Sequence, residues 1–427
     1  MKRLLLISGL LVLFAAEILR VYFIMPFPGS QYRNTITAAY WISSHIAWIR
    51  VLGLALIIVP VWYILKNGKT WMKVSCSLPL VLYAVIFFFF NYRFEADKMF
   101  YQPKQKRFAA SNTDTTDKNE LVIGVAINGQ AKAYPIRVIG YHHQVMDTIG
   151  SMPVMVTYGT VCRTGRVYSP IVNEKKESFR LVGMDHFNAM FEDATTGSWW
   201  QQATGKVIAG KLKGTALKEF PSKQLTLAAW LREYPNSYVM QPDTTFNKQY
   251  AGLANYDDGT VKSSLEKRDS ASWKRKSWVI GVIHNRTSKA YDWNELAKAG
   301  IIDDAVADMP VVLALEKDSA SFHVYNRRLN GRILYFEEGL NDTIIDGNTH
   351  SRWNMDGLCI GGTMRGQRLN TIQSYQEFWH SWSTFHPNTA RYQPYRESWR
   401  SWSTFHPNTA RYPQNFTTKQ YLTEIIY

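Results

Sequence analysis

The sequence predicts an α+β chain dominated by β-structure, with three transmembrane helices at the N-terminus and then an exported domain of two homologous lobes in tandem. Three observations carry this. The first ninety residues hold three apolar runs long enough to cross a bilayer. The rest of the chain aligns with itself over more than a hundred residues. Within each repeat, short strand-like runs are separated by turn residues and brief helical stretches, the pattern of a β-rich α+β domain. At 427 residues, 46% hydrophobic and 19% charged, the chain has room for two or three folded units and is neither disordered nor collagen-like. Its mean hydropathy is only -0.23, so the apolar start is offset by a polar remainder.

The first run, Leu4 to Met25, follows Met1-Lys2-Arg3 and is too long for the apolar core of a cleaved signal, so it reads as an uncleaved anchor. The second, about Ile42 to Leu65, contains Pro60, which membrane helices tolerate; the third is Val74 to Phe90. Lys2 and Arg3 precede the first span and Lys66, Lys69 and Lys73 lie between the second and third, so the positive-inside rule makes both cytoplasmic. Three crossings then export everything after Tyr92. Glu17 and Arg20 share a helix face and are expected to neutralise each other, while His45 and Arg50 are candidates for a polar path in a transport complex. The bilayer is the expected partner, with a membrane-protein partner or a second copy of the chain as the alternative. The net charge of +15 is concentrated at this end: through Arg93 there are nine Lys or Arg against one acid, and later bases are mixed with acids. No basic stripe suited to nucleic acid follows, so none is expected as a partner.

In the exported part, Val122 to Ile136 matches Val279 to Trp293 at eight of fifteen positions with an offset of 157. The same offset aligns Met152-Pro153-Val154 with Met309-Pro310-Val311. Through a few deletions the register then brings Asp193 onto Asp346, Thr196 onto Thr349, Trp200 onto Trp353, Gly210 onto Gly362 and Trp230 onto Trp382. The expected organisation is a membrane region at 1–93, a linker at 94–107, a first lobe at 108–245, a linker at 246–269, a second and degenerate lobe at 270–392, and a tail at 393–427. In the first lobe, Leu121 to Tyr134 reads as a hairpin turning at Asn128-Gly129 and Gln224 to Glu233 as a helix stopped before Pro235. The tail repeats SWSTFHPNTARY, present at Ser381 to Tyr392 and again at Ser401 to Tyr412.

Residues that both lobes keep serve folding, so reactive residues present in one alone are the better functional candidates. Cys162 aligns with Ser319, His143 with Gly300 and His186 with Gly339. A thiolate at a strand exit beside Arg163 is a candidate nucleophile, with Asp147 as a further catalytic candidate. With imidazoles from His143 and His186 and the thioether of Met184 or Met190, the same sulfur suits copper or another transition metal. The alternative is a buried structural thiol among ordinary polar histidines. A disulfide between Cys162 and Cys359 is a further alternative in an oxidising compartment. Trp199, Gln201 and Asp193, in a block dense in polar-ligand residues, are the candidates for holding a cofactor.

The first lobe resembles a bacterial domain family of unknown function, numbered three-one-seven-nine among such domains. It is similar in Ala133 to Ile136 (AYPI), in the His143 and Asp147 step, in the Pro153 to Tyr158 strand ending in a Cys-bearing loop, and in the Asp193 to Trp200 run. Many members carry two cysteines at that loop; here the first is Gly159, which leaves Cys162 alone. The resemblance covers about Lys106 to Met240, the second lobe weakly, and implies no known reaction. It implies a secreted or membrane-tethered bacterial domain; with the charge pattern of the spans, the expected location is the bacterial inner (plasma) membrane, with the N-terminus cytoplasmic and residues 94–427 periplasmic or extracellular. Transition-metal or thiol redox work is the expected function, against a non-catalytic ligand- or partner-binding module or an accessory subunit of a transport complex.

Overall fold

Three helices, α1 (Lys2–Tyr22), α2 (Ile36–Asn67) and α3 (Thr70–Tyr92), are each long and apolar enough to cross a membrane. A computed structural model describes residues 1–394, so the second SWSTFHPNTARY copy lies outside the described residues. The apolar side chains of these helices face outward: Leu11, Ile58 and Leu78 are more than half exposed, as expected where lipid takes the place of water. Trp41 and Trp62, both exposed on α2, lie about 31 Å apart at 1.5 Å per residue, close to the hydrocarbon thickness. At the Trp62 end Lys2 sits 3.3 Å over the Tyr63 ring and Lys66 5.0 Å over Trp62, an aromatic and cationic belt of the kind that marks an interface.

Glu17 is fully buried between the helices, and its chief partner is not Arg20. Arg50 on α2 donates to it from both Nε and Nη2, at 2.6 and 2.9 Å, and Asn91 on α3 adds a 3.2 Å bond. Arg20 stays 4.0 Å away and turns to Glu95 at 3.2 Å and Asn91 at 2.8 Å. Position i+3 on one helix offers only a glancing approach, whereas a facing helix offers the two-pronged geometry a guanidinium prefers. Arg50 is therefore a counter-ion, not a free lining of a polar path.

Among the described residues, the β-rich domain that follows contains six sheets of three or more strands, and two sets of three succeed one another along the chain. In the first, strands 107–110, 238–241, 130–135, 121–127 and 223–226 lie in that order in one sheet; 144–149, 152–159 and 164–168 form the next; 207–209, 199–201, 188–193 and 179–185 the third. In the second, 374–378, 278–284 and 287–292 are neighbours, then 301–306, 309–315 and 322–326, then 336–338, 343–346, 352–354 and 359–361. The stretch read as a helix from Gln224 divides: Lys223–Thr226 is a strand paired with 121–124, and the helix begins at Leu227 with Thr226 capping the Ala229 amide.

The same contacts recur in the two sets. Gly124 and Gly281 lie under the rings of Trp230 and Trp382, where an added Cβ would come within 2.2 and 2.1 Å of ring carbons. Asp193 accepts from the Thr196 and Ser198 amides and from Trp200 Nε1 at 2.8 Å; Asp346 accepts from the Thr349 amide and from Trp353 Nε1 at 3.0 Å. Tyr134 donates to Asp147 at 2.6 Å and Tyr291 to Asp304 at 2.9 Å.

Met1–Ala390 forms one compact unit. Within it, 246–269 is not a free linker. Tyr250, Tyr256 and Val261 are buried in the core of the first set of sheets. Nor is 94–107: Ala96–Met99 is a helical turn with Ala96 buried. The domain is also joined to the membrane part by more than chain connectivity. The Met184 amide donates to the Ile24 carbonyl at 2.7 Å, and Gly183 permits that approach, since a Cβ there would sit 2.4 Å from the same oxygen. Val182, Met190 and Trp199 pack with Ala39, and Tyr40 meets Trp199 edge-on at 5.1 Å.

Candidate functional site

The loop after strand 152–159 places Cys162 in the interior. Its sulfur is fully buried with Val161 and Phe187, and Met184 packs against them. Burial pushes the thiol up to about 12, and the nearby Lys276 ammonium offsets this only in part. The expected low-pKa nucleophile is thus corrected: full burial disfavours the thiolate more than Lys276, Ser381 and Asn188 favour it. Arg163 does not activate it. Its guanidinium, 1% exposed, donates to Gln376 Oε1 at 2.9 Å and to the Tyr256 and Asp257 carbonyls at 3.2 Å each, and stacks 4.0 Å over Trp278. Arg166 behaves likewise toward Glu377 and Tyr375. Both arginines tie the Cys162 loop to the second set of sheets.

The candidate metal ligands are turned elsewhere. His143 gives its Nδ1–H to the Tyr158 carbonyl at 3.1 Å, stands 4.5 Å edge-on to Phe100, and burial lowers its pKa to about 4. His186 Nδ1 is bonded to Asp185 Oδ1 at 2.6 Å, and that carboxylate raises the imidazole. Met184 and Met190 sit in separate apolar clusters. Among the described residues no group of three or more His, Cys, Asp or Glu could hold a metal ion, so the copper expectation has no donor set. Cys162 and Cys359 are both free and buried in different clusters, which removes the disulfide.

The other candidates each hold hydrogen-bond partners within the domain. Asp147 holds Lys132 Nζ at 2.9 Å as well as Tyr134. Trp199 donates to Glu192 at 2.8 Å, Gln201 to Asp185 at 2.6 Å, and Asp193 closes its turn.

What the fold does assemble beside Cys162 is space. A cavity of about 400 Å³ is lined by Met25 and Pro26 from the α1–α2 connection, Met99 and Phe100 from the segment after α3, and Tyr141, His143, Val161, Met184, Leu253 and Leu265 from the domain. Its polar rim includes Thr160 and Glu266, which are hydrogen-bonded to each other. A second pocket of about 260 Å³ lies on the other side of Phe187, lined by Gln31, Tyr32, His186, Phe187, Arg275, His380 and Thr384. A narrow cleft between them shares Met25, His143 and Met184 with the first and Phe187 with the second.

Backbone strain marks the same place. His143 caps the helix Ile136–His142 at φ 59°, where Gly300 caps its counterpart at φ 68°. His186 and Phe187, the two residues joining strands 179–185 and 188–193, have φ of 50° and 69°. The hairpin turns Asn128-Gly129, Asn285-Arg286 and Asn330-Gly331 use Asn first, as such left-handed pairs usually do. A His-Phe pair there costs on the order of 1–3 kcal/mol per residue and persists only when the surroundings impose it. Gln31 imposes it, accepting the Phe187 amide at 3.1 Å, as do the Tyr32 ring at 5.6 Å and Arg275 at 4.7 Å.

A family model described as "Protein of unknown function (DUF3179)" matches residues 101–389. The chain belongs to this family. The matched span runs through both sets of sheets, beyond the Lys106 to Met240 region where the resemblance is plainest in sequence. The DUF3179 domain of this chain is thus the whole β-rich body, and the cavity residues from Tyr141 to Leu265 fall inside it, while Met25, Pro26 and Met99 do not. No curated protein and no solved structure matches the chain.

The loop Met25-Pro26-Phe27-Pro28-Gly29 carries no reactive residue and the segment from Leu253 to Leu265 reads as a polar linker, which is why the sequence did not single them out. The one available signal was a Pro- and Gly-rich turn between two membrane spans.

Proposed function

We propose that this chain is a membrane-anchored extracytoplasmic binding module that takes a single-chain apolar or amphiphilic molecule from the bilayer into the 400 Å³ cavity. The observation that carries this reading is the composition and position of its walls. Met25 follows the end of α1 by three residues and Met99 the end of α3 by seven, so carbon-lined space opens at the level where helices leave the membrane. The volume lies in the range of small-ligand sites, and apolar lining with few polar groups is the usual make-up of such sites. His143, held neutral, adds a hydrogen-bond acceptor at Nε2 without a charge. The basic residues Lys2, Arg3, Lys66, Lys69 and Lys73 at the opposite helix ends support a cytoplasmic N-terminus and an exported domain.

The recurring Gly–Trp, Asp–Trp and Tyr–Asp contacts support a second part of the reading: the domain arose by internal duplication, and its second copy, without counterparts to His143, His186 and Cys162, acts as the scaffold. The test uses the full chain in lipid nanodiscs with a diazirine-bearing dodecanol. Labelling at Met25, Phe100 and Leu253, reduced at least about fivefold by Leu253→Trp with unchanged thermal unfolding, is expected for a filled cavity. Labelling confined to α1, α2 and α3 would contradict it.

A further inference from the structure

Resting on that reading, the geometry points to the 260 Å³ pocket at His186 and Arg275 as the head-group site of the same ligand: the bound molecule is a single-chain amphiphile with an anionic head, a carboxylate or a phosphate monoester. Four observations converge. The pocket shares Phe187 with the narrow cleft, and the cleft shares Met25, Phe100, His143, Thr160, Val161 and Met184 with the apolar cavity, so chain and head sites adjoin.

Second, among the described residues Arg275 has no carboxylate partner, whereas His186 is paired with Asp185. Arg275 is exposed; its guanidinium donates to the Tyr32 hydroxyl and lies over the rings of Tyr32 and Phe187 at 4.6 and 4.7 Å. Third, His186 is oriented. Asp185, itself fixed by Gln201 at 2.6 Å, holds Nδ1, which leaves Nε2 available to the pocket and favours its protonated, donating form. Planar guanidinium and an imidazolium N–H together form the donor pattern that suits oxyanions. His380, whose Nε2–H goes to the Val161 carbonyl at 3.2 Å, is held neutral by burial and does not repel a cation beside it.

Fourth, the strained His186-Phe187 turn is held in place by groups from two separate parts of the chain, Gln31 and Tyr32 on the membrane side and Arg275 on the other. Such strain is most readily retained where a side chain must be aimed.

The experiment is competition for the diazirine-dodecanol label in nanodiscs holding the full chain, with unlabelled dodecanoate, dodecyl phosphate, dodecanol, acetate and inorganic phosphate. Dodecanoate or dodecyl phosphate is expected to compete about tenfold better than dodecanol, and His186→Ala or Arg275→Gln to erase that advantage while leaving competition by dodecanol unchanged. Equal competition by all three twelve-carbon molecules overturns the head-group site and leaves the apolar cavity standing. Protection by acetate or inorganic phosphate at the same concentrations also overturns it, because the pocket then serves a free anion. Absence of any cavity label removes the apolar reading itself.

Discussion

The two sets of sheets agree where the fold is made and differ where the cavity is. Trp230 over Gly124 and Trp382 over Gly281, Asp193 with Trp200 and Asp346 with Trp353, are the same contacts in two places. The Tyr158 amide donates to the His143 carbonyl at 3.0 Å, and the Leu315 amide to the Gly300 carbonyl at 2.9 Å, so even this helix exit is the same. Yet one exit carries an imidazole in a left-handed conformation that glycine adopts without strain, and the other carries the glycine. His143, His186 and Phe187, non-glycine residues at positive φ in the first set, border open space.

The largest effects should come from breaking the agreement. Trp230→Ala and Trp382→Ala each empty a fully buried indole site and are expected to cost about 3–5 kcal/mol, seen as comparable falls in unfolding temperature. Tolerance of one but not the other would break the equivalence. Asp193→Ala and Asp346→Ala remove the acceptor for a buried indole N–H and for turn amides, for an expected loss of about 2–4 kcal/mol each.

The pH dependence separates the sets more finely. His143 and His380 have folded pKa values lowered to about 4 and about 3 by burial. Their unfolded values are near 6.5, so below that pH the unfolded chain takes up protons that the folded chain refuses. Stability is therefore highest above about pH 6.5 and falls as the pH drops toward 4 and then 3, by up to roughly 1.4 kcal/mol per pH unit for each histidine. His143→Gln should flatten this acid slope in an unfolding series from pH 7 to 4.5; an unchanged slope would show that His143 is not held neutral. The smallest change in stability is expected for His143→Gly, within about 1 kcal/mol, because relief of the positive φ offsets the lost ring contact with Phe100. The same variant should weaken cavity labelling, and a large destabilisation would mean the ring is scaffold after all.

Much of this was legible in the sequence. Apolar length showed the three helices, and the Asn128-Gly129 turn showed its hairpin, because both signals are local. The register pairing Asp193 with Asp346 and Trp230 with Trp382 pointed to residues whose contacts the fold repeats. Cys162, His143, Met184 and His186, expected to share a site, each lie near Phe187 or the cleft beside it but turn to different partners. What separates them, the Phe187 ring and the exit of a strand into the core, depends on packing that residue type does not reveal. The buried thiol was misread for the same reason: the adjacent Arg163 suggested a depressed pKa, yet its guanidinium is consumed by Gln376 and two carbonyls more than ninety residues away along the chain. Met25, Met99 and Leu265 were not found because apolar residues become a cavity only when distant segments fail to fill the space between them.

The most direct test is a crystal structure of the full chain grown in a lipid phase and soaked with 12-bromododecanol, read by bromine anomalous scattering. A bromine peak inside the cavity bordered by Met25, Phe100, His143 and Met184 is the predicted result. Bromine found only along the lipid-facing surfaces of α1, α2 and α3, with the cavity filled by ordered water, would contradict it.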